Sequence, residues 1–366
     1  MSLTIALLPG DGIGPEVTAE AVRILKNVAE HARQTFTFSS HKIGGVAIDS
    51  DGMGLPESTR EACLGANAVL LGAVGDPKFD GRLPAERPEA AQLALRQALG
   101  GYANLRPAIC YAPLAKRTAF QPDKVRGADL LIVRELLGGL YYGEPRGFAA
   151  SGDTAFNTLI YSRHEIERVA RVAFERARER RGRVASIDKA NVLETSLLWR
   201  TVVSEIAKEY PDVALEHVYV DTAAMRLATS PTSFDVMLCD NLFGDILSDQ
   251  AASIAGSLGV LPSATLGGRV DLYEPVHGSA PDIAGKGWAN PIGAIASAAM
   301  LLRFTAKMEK EAAEVDHAIE DALAAGARTR DLAGPGERVL STQEMGQAIE
   351  EALADVRDRR HSYHAV

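Results

Sequence analysis

Short apolar runs alternate along the chain with longer stretches in which apolar residues recur every three or four positions. The first pattern is typical of strands and the second of amphipathic helices. The predicted strands are 3–8, 35–40, 68–74, 129–133, 183–188, 214–220 and 234–239. The predicted helices are 15–33, 88–99, 162–181, 192–209, 242–257, 291–306 and 311–325. Strands that alternate with helices predict an α/β architecture with a largely open sheet.

The predicted helix 162–181 has the clearest helical period. Glutamate and arginine fill the face opposite its apolar stripe, so one face is expected to be buried and the other solvated. The stripe consists of Ile166, Val169, Ala170, Ala173, Phe174 and Ala177.

Residues 136–161 interrupt the alternation, because they are rich in glycine and aromatic residues and carry no helical period. An extended element such as a hairpin arm fits this composition. A surface loop is the alternative, although this length is unusual for a loop without a role.

The turn "LLPGDGIGPEV" at 7–17 is rich in glycine and precedes a predicted helix. A Rossmann dinucleotide turn requires the spacing G-x-G-x-x-G, whereas Gly10, Gly12 and Gly14 follow G-x-G-x-G, with Pro15 at the expected first helical position. The segment "QTFTFSSHKIGG" contains no acid that could hold a ribose. A plain strand-to-helix connection with Asp11 near the helix N-terminus and a phosphate-binding turn therefore both stay open.

Length and composition narrow the functional class. At 366 residues the chain is expected to form two domains. The formal net charge of −9 argues against non-specific nucleic-acid binding. Three well-separated cysteines, an N-terminus without a signal-peptide pattern and no long apolar stretch together predict a cytoplasmic protein that does not enter the membrane.

Three aspartates could supply oxygen ligands to a cation. Asp221 is predicted at the end of a strand, and Asp245 and Asp249 lie four residues apart on one face of a predicted helix. Carboxylates so arranged suit Mg²⁺ or Mn²⁺. The alternative is that Asp240 or Asn241 caps this helix and the other acids are solvated.

Three arginines and a lysine occupy positions suited to an anionic ligand. Arg134 ends an apolar run, Arg106 precedes a proline, Arg96 lies on a predicted helix, and Lys189 follows a predicted strand, where α/β active sites gather. Guanidinium groups bind carboxylates in a bidentate way, and a lysine can serve as a base. Structural ion pairs and a surface lysine are the alternatives.

The segment "LYEPVHGSAPDIAGKGWANP" at 272–291 is long and rich in glycine and proline. Its backbone amides could surround a nucleotide, with Asp282 accepting hydrogen bonds from ribose hydroxyls. Glu274, His277 and Asn290 are further candidates in the same loop.

Six ordered motifs resemble one family: "GDGIGPEV", "YANLRP", "LLIVRE…GGLYYGEPRG", "SIDKANVLE", "FGDILSD" and the 272–291 loop. The chain resembles the β-decarboxylating dehydrogenases of the isocitrate and isopropylmalate type over nearly its whole length. The resemblance implies a two-domain, non-Rossmann α/β open-sheet fold. Residues 1–101 and 256–366 would form the cofactor-side domain. Residues 102–255 would form the substrate, metal and dimerisation domain, with an arm at about 136–161.

The resemblance also implies a reaction. This is NAD-dependent oxidative decarboxylation of a 3-substituted malate, with 3-isopropylmalate of leucine biosynthesis as the expected substrate. Lys189 would remove the hydroxyl proton, Tyr141 would protonate the enol, and Asp221 would assist them. Lys189 and Asp221 would come from the partner subunit of a homodimer. Asp282 would favour NAD over NADP.

The implied substrate-binding residues are Glu89, Gln92, Leu93, Arg96, Arg106, Arg134, Tyr141, Lys189, Val192 and Asp221. The implied cofactor-binding residues are Ile13, Glu274, His277, Gly278, Ser279, Ala280, Asp282 and Asn290. The implied ligands of Mg²⁺ or Mn²⁺ are Asp221, Asp245 and Asp249.

Two departures from the family pattern keep the substrate's side group open. Gln92 stands where the family carries a leucine, and Leu137 stands where it carries a threonine. An unpartnered Gln92 amide against an isopropyl group would cost about 1–3 kcal/mol. One alternative function is therefore a dehydrogenase for a differently substituted malate. The other is a non-catalytic regulatory subunit, against which the retained Lys189, Tyr141 and aspartates argue.

Overall fold

The computed structural model describes residues 2–363 and divides into two compact units. Unit 1 contains the described residues of Met1–Gly101, Tyr111–Thr118 and Ala255–Val366. Unit 2 contains Tyr102–Cys110 and Ala119–Ile254. Unit 1 therefore draws on chain segments that are distant in sequence, whereas unit 2 is continuous except for the 111–118 segment.

The strands occupy the following positions: β1 (Ser2–Gly10), β2 (Thr35–Ser40), β3 (Ala68–Ala73), β4 (Ala103–Ile109), β5 (Asp129–Glu135), β6 (Gly147–Phe148), β7 (Ala155–Phe156), β8 (Arg183–Asp188), β9 (Ala214–Tyr219), β10 (Val236–Cys239), β11 (Pro262–Leu266) and β12 (Asp271–Pro275).

The α-helices occupy the following positions: α1 (Gly14–His31), α2 (Gly45–Asp51), α3 (Glu57–Gly65), α4 (Pro88–Leu99), α5 (Pro122–Val125), α6 (Arg163–Arg178), α7 (Glu194–Ala207), α8 (Val220–Thr229), α9 (Asn241–Ala255), α10 (Ile292–Phe304), α11 (Glu309–Ala324) and α12 (Thr342–Tyr363).

Unit 1 is built on strands in the order β2-β1-β3-β12-β11. The pairs are parallel except β11 with β12. Helix α10 is buried along nearly its whole length and packs against β11, β12, α1 and α11. Its run of alanines lets these elements approach closely.

Unit 2 is built on strands in the order β4-β5-β10-β8-β9. β5, β10, β8 and β9 are parallel, whereas β4 is antiparallel to β5. The carboxyl ends of parallel strands meet at one edge of a sheet, which is where ligands of open α/β sheets bind. Arg134, Lys189, Asp221 and Asn241 lie at or just beyond these strand ends.

Helix α6 confirms the amphipathic prediction. All the residues of its predicted stripe are buried. The helix begins with a capping box, in which the side chains of Ser162 and Glu165 satisfy each other's backbone N–H groups. The predicted range 162–181 extends three residues beyond the helix, which ends at Arg178. A turn follows the helix, and Gly182, with φ of 71°, lies at the end of that turn.

Segment 136–161 contains a short hairpin, in which β6 pairs antiparallel with β7. The side chains of Phe148 and Phe156 are 71% and 45% exposed. A hairpin with such short strands and no covering layer is marginal by itself.

The predicted strands do not include β4, β6, β7, β11 and β12, although β6 and β7 lie where a hairpin arm was one alternative. The predicted helices do not include α2, α3, α5, α8 and α12. Asp221 was expected at the end of a strand, but it lies in the first turn of α8, just beyond β9. Within residues 2–363, no helix combines the length and the apolarity needed to cross a bilayer.

Candidate active site

Arg106 and Arg134 lie on adjacent antiparallel strands of unit 2, and both are buried. Arg106 donates from Nε to Asn104 Oδ1 at 2.7 Å and from Nη1 to Ser248 Oγ at 2.7 Å. Arg134 donates from Nε and Nη2 to Asn241 Oδ1, at 3.1 and 2.7 Å. Neutral amide oxygens thus help to orient both guanidinium groups and add no charge of their own.

Asp245, on the first turns of α9, joins the two arginines to Tyr141. Its Oδ1 accepts from Arg134 Nη1 and lies 3.5 Å from Arg106 Nη1. Its Oδ2 accepts from the Tyr141 hydroxyl at 2.7 Å. Burial, followed by this hydrogen bond to Asp245, raises the pKa of Tyr141 to about 12. The phenol therefore keeps its proton at neutral pH.

Asp249 lies one turn beyond Asp245 on α9, and its Oδ1 is 3.7 Å from Arg106 Nη1. Burial raises the pKa of Asp249, while Arg106 opposes that shift. A bound divalent cation would favour the ionised form of both carboxylates, and hard oxygen ligands suit Mg²⁺ or Mn²⁺. Among the described residues, no three His, Cys, Asp or Glu side chains converge as a metal site within the single chain.

Lys189 and Asp221 form a separate pair. The Lys189 Nζ donates to Asp221 Oδ1 at 2.9 Å, and this hydrogen bond lowers the pKa of Asp221. Lys189 follows β8 directly, and its backbone N–H donates to Ser196 Oγ at 3.0 Å. The Asp221 side chain is 65% exposed, so this pair faces outward from the chain.

Arg96 belongs to unit 1 and has a carboxylate partner. Its Nε and Nη2 both donate to Glu274 Oε1, at 3.2 and 2.7 Å. Gln92, one turn earlier on α4, donates from Nε2 to Glu274 Oε2 at 2.7 Å. The Gln92 amide therefore has a partner in Glu274, so the cost considered for an unpartnered amide does not apply in full.

The other predicted substrate residues are less enclosed. Leu93 is partly buried, and Glu89 is exposed on the same helix α4. Val192 is exposed on unit 2, three residues after Lys189.

The glycine turn after β1 contacts the 277–290 loop. Gly12 has φ of 56°, and a Cβ there would lie 2.0 Å from the Ser279 carbonyl oxygen. The Ile13 N–H donates to that same oxygen at 2.8 Å. Asp11 accepts from the N–H groups of Gly45, Val46 and Gly75, so it binds the N-terminus of α2 and the loop after β3 rather than capping α1.

A cavity of about 400 Å³ opens between this turn and the loop, within unit 1. Its volume lies in the range of small-molecule sites. Its lining residues include Ile13, Leu258, His277, Gly278, Ala280, Ile283, Trp288, Asn290, Arg330 and Asp331.

The polar groups of this cavity indicate a ligand with hydrogen-bonding groups. His277 Nε2 is buried with no partner among the described residues, and burial lowers the pKa of the ring. The guanidinium of Arg330 lies 4.1 Å from the centre of the Trp288 ring, which is 39% exposed. An apolar pocket with an indole wall and a neutral imidazole fits a nucleotide base.

The other residues that were predicted to bind the cofactor lie outside the lining of this cavity. Asp282 is exposed at the rim of the loop and is absent from the cavity lining. Ser279 is buried, and Glu274 is engaged by Arg96 and Gln92. Glu16 on α1 accepts from the N–H groups of Gly285 and Gly287, which fixes the far end of the loop.

Several residues of these sites were not predicted from the sequence as functional. Trp288 and Arg330 line the cavity, while Asn104 and the Asn241 side chain orient arginines. Trp288 lies within the 272–291 loop, which was itself a signal. Arg330 carried no signal, since its contact with Trp288 spans distant parts of the chain.

Comparison with known proteins places the chain in a family. The family model described as isocitrate/isopropylmalate dehydrogenase matches residues 4–349. The 3-isopropylmalate dehydrogenase of Salinibacter ruber is 55% identical over 97% of this chain and 96% of that protein. The 3-isopropylmalate dehydrogenase of Moorella thermoacetica is 52% identical over 96% of this chain and 99% of that protein.

A solved structure supports the same family assignment. The crystal structure of isocitrate dehydrogenase from Methylococcus capsulatus matches with a TM-score of 0.86 and 35% identity, covering 96% of this chain and 99% of that one. The chain is thus an oxidoreductase of the decarboxylating dehydrogenase class. It belongs to the isocitrate/isopropylmalate dehydrogenase family. The family match confirms the resemblance inferred from the motifs, and with it the open-sheet α/β fold of the isocitrate/isopropylmalate dehydrogenase type.

Proposed function

We propose that this protein catalyses NAD-dependent oxidative decarboxylation of 3-isopropylmalate to 2-oxo-4-methylpentanoate and CO₂, a step of leucine biosynthesis. The main support is the arrangement of Arg106, Arg134 and Tyr141 around Asp245. Two closely placed guanidinium groups suit a dicarboxylate substrate. A phenol that stays protonated suits the final proton transfer.

The residues divide the work as follows. Arg96, Arg106 and Arg134 bind the substrate carboxylates. Lys189 receives the C2 hydroxyl proton through a water molecule, and Tyr141 donates a proton to the carbon that loses CO₂. When bound, NAD⁺ accepts the hydride from C2, and a divalent cation stabilises negative charge on the C2 oxygen.

Asp245 and Asp249, with Asp221, are the proposed ligands of Mg²⁺ or Mn²⁺. Asp221 and Lys189 are proposed to serve the site of the partner subunit in a homodimer. Two observations support this arrangement: the Lys189–Asp221 pair faces outward, and unit 2 exposes the apolar side chains of Phe148, Phe156, Val192, Leu197, Met225 and Ile246.

The proposed NAD site is the cavity lined by Ile13, His277 and Asn290. The exposed carboxylate of Asp282 is proposed to accept from the 2′-hydroxyl of the adenosine ribose and to repel a 2′-phosphate. A preference for NAD⁺ over NADP⁺ follows from that charge.

The experiment that tests the proposed function is NAD⁺ reduction and CO₂ release by the purified protein, with a panel of malates that differ at C3. We expect turnover with isopropylmalate, and little turnover in the Lys189→Met variant. Turnover restricted to another C3 substituent would keep the reaction and change the substrate. A protein that binds NAD⁺ but oxidises no malate would support a regulatory subunit instead.

A further inference from the structure

The side chain of Asn241 lies at the beginning of α9, directly after β10, and only 1% of the residue is exposed. Its Oδ1 accepts from Nε and Nη2 of Arg134. Its Nδ2 donates to the carbonyl oxygens of Leu136 and Gly138, at 3.1 and 2.9 Å. The amide therefore uses both acceptor positions and both donor hydrogens.

The segment that Asn241 binds leads to Tyr141. Glu135 holds the same segment from its other side, because its carboxylate accepts from the N–H groups of Leu137 and Gly138. Gly139 follows with φ of 74°, and a Cβ there would lie 2.6 Å from the Tyr161 hydroxyl oxygen. The path from Asn241 to the Tyr141 turn is thus closely packed.

The backbone of Asn241 strengthens its position. Its N–H donates to the Tyr161 hydroxyl oxygen at 2.9 Å, and that hydroxyl donates to Glu135 Oε2 at 3.2 Å. The Asp240 side chain caps α9 by accepting from the Phe243 N–H at 2.7 Å. The side chain of Asn241 is consequently left for Arg134 and the 136–138 segment.

The choice of an amide has an electrostatic consequence. A carboxylate at this position would place a second negative charge on Arg134, beside that of Asp245, and would direct oxygens at two carbonyl groups. An apolar side chain would leave buried donors and acceptors without partners. Asparagine orients Arg134 without adding a second carboxylate to the one that Asp245 already places on its guanidinium.

We propose that Asn241 is a positioning residue that sets the Arg134 guanidinium and the Tyr141 hydroxyl in one alignment for substrate binding and protonation. This inference rests on the proposed function, because it assigns a substrate carboxylate to Arg134 and a proton transfer to Tyr141. Asn241 would act through Arg134 and the 136–138 segment and would not contact the substrate itself.

The test uses the full-length protein and five variants: Asn241→Ala, Asn241→Asp, Asn104→Ala, Arg134→Lys and the double variant Asn241→Ala/Arg134→Lys. Asn104 is the matched control, since it is equally buried and orients Arg106 but lies on strand β4. We expect Asn241→Ala to raise KM for isopropylmalate and to lower kcat, each by about tenfold to a hundredfold. KM for NAD⁺ should change by less than about threefold.

Asn104→Ala should raise KM for isopropylmalate with a much smaller loss of kcat. Asn241→Asp has the same size as asparagine, so it distinguishes alignment from space filling. We expect its kcat to stay as low as that of Asn241→Ala, because its oxygens repel the two carbonyls. A wild-type kcat in Asn241→Asp would overturn the proposal.

A double-mutant cycle with Arg134→Lys separates positioning from general destabilisation. In the Arg134→Lys background, Asn241→Ala should change KM by less than about threefold, because its partner is already altered. If Asn241→Ala changes KM equally in the wild-type and Arg134→Lys proteins, and a lowered Tm accounts for the lost activity, the proposal is overturned.

Wild-type behaviour distinguishes this failure from failure of the proposed function. If calorimetry shows that the wild type binds isopropylmalate but assays show no turnover, the proposed reaction is wrong. The double-mutant cycle, measured on the Kd for isopropylmalate, then decides whether Asn241 positions Arg134. If the wild type neither binds nor oxidises any malate, the substrate assignment of Arg134 fails, and the inference fails with it.

Discussion

At the scale of single residues, we predict that Gln92 contacts the C3 substituent in the proposed site. One N–H of its Nε2 already donates to Glu274, so only part of the amide would face an apolar group unpaired. We therefore expect Gln92→Leu to raise kcat/KM for isopropylmalate by only about threefold, and to lower it for malates with polar C3 groups. Steady-state kinetics with both substrates measures the ratio.

Gln97→Leu is the control for this substitution, because Gln97 is exposed on the same helix α4. It should leave the ratio unchanged. If Gln92→Leu also leaves the ratio of the two kcat/KM values unchanged, Gln92 serves Glu274 and Arg96 and has no part in substrate selection.

Trp288 offers a direct measurement of nucleotide binding. It lines the unit 1 cavity, whereas Trp199, the second tryptophan, is 2% exposed in unit 2 and donates to Ser186. Because a bound base would contact the indole, NAD⁺ should change Trp288 fluorescence. A fluorescence titration should keep this change in Trp199→Phe and lose it in Trp288→Phe. The reverse result would locate the nucleotide elsewhere.

At the scale of elements, the hairpin β6–β7 presents two exposed aromatic side chains, Phe148 and Phe156. Burying aromatic surface of this size stabilises an interface by about 2 kcal/mol or more per ring. We expect Phe148→Glu to shift the proposed homodimer toward monomer in sedimentation velocity measured at several concentrations. Leu83→Glu, at an exposed apolar position of unit 1, should leave the distribution unchanged. A stable dimer of Phe148→Glu would exclude the arm from the interface.

Hydrophobic periodicity predicted those elements whose buried face is evident from their own sequence. Helix α6 was predicted because its stripe is wide, whereas α12 was missed because its buried residues Met345, Ile349 and Leu353 form a narrow row. Strand β4 was missed because Arg106 and Pro107 interrupt its apolar run, and its pairing with β5 stabilises it nonetheless.

The site follows the same rule. Strand ends and motifs identified Arg134, Lys189 and Asp245 as candidates. The roles of Asn241 and Glu274 depend on partners more than a hundred positions away in the sequence, at Leu136 and Arg96. No local pattern encodes such contacts.

At the scale of the whole molecule, the proposed metal site makes activity depend on a divalent cation. Asp245 and Asp249 lie beside Arg106 and Arg134, whose charges cannot replace a Lewis acid on the C2 oxygen. EDTA should abolish turnover, and Mg²⁺ or Mn²⁺ should restore it. Asp245→Asn should raise the metal concentration needed, whereas Asp212→Asn, at a surface pair with Arg178, should not. Full activity after metal removal would contradict the proposed metal site.

Sharing of sites between subunits has a stricter test, because two inactive chains should restore activity when they are combined. A Lys189→Met chain retains Asp245, and an Asp245→Asn chain retains Lys189. If each site takes Lys189 from one subunit and Asp245 from the other, a hybrid dimer contains one intact site and one doubly defective site. Its activity should be about half that of the wild-type dimer.

If each subunit supplies both residues to its own site, every site in the hybrid is defective. Co-expression with two affinity tags isolates the hybrid, and a hybrid dimer without turnover would place Lys189 and Asp245 of the same chain in one site.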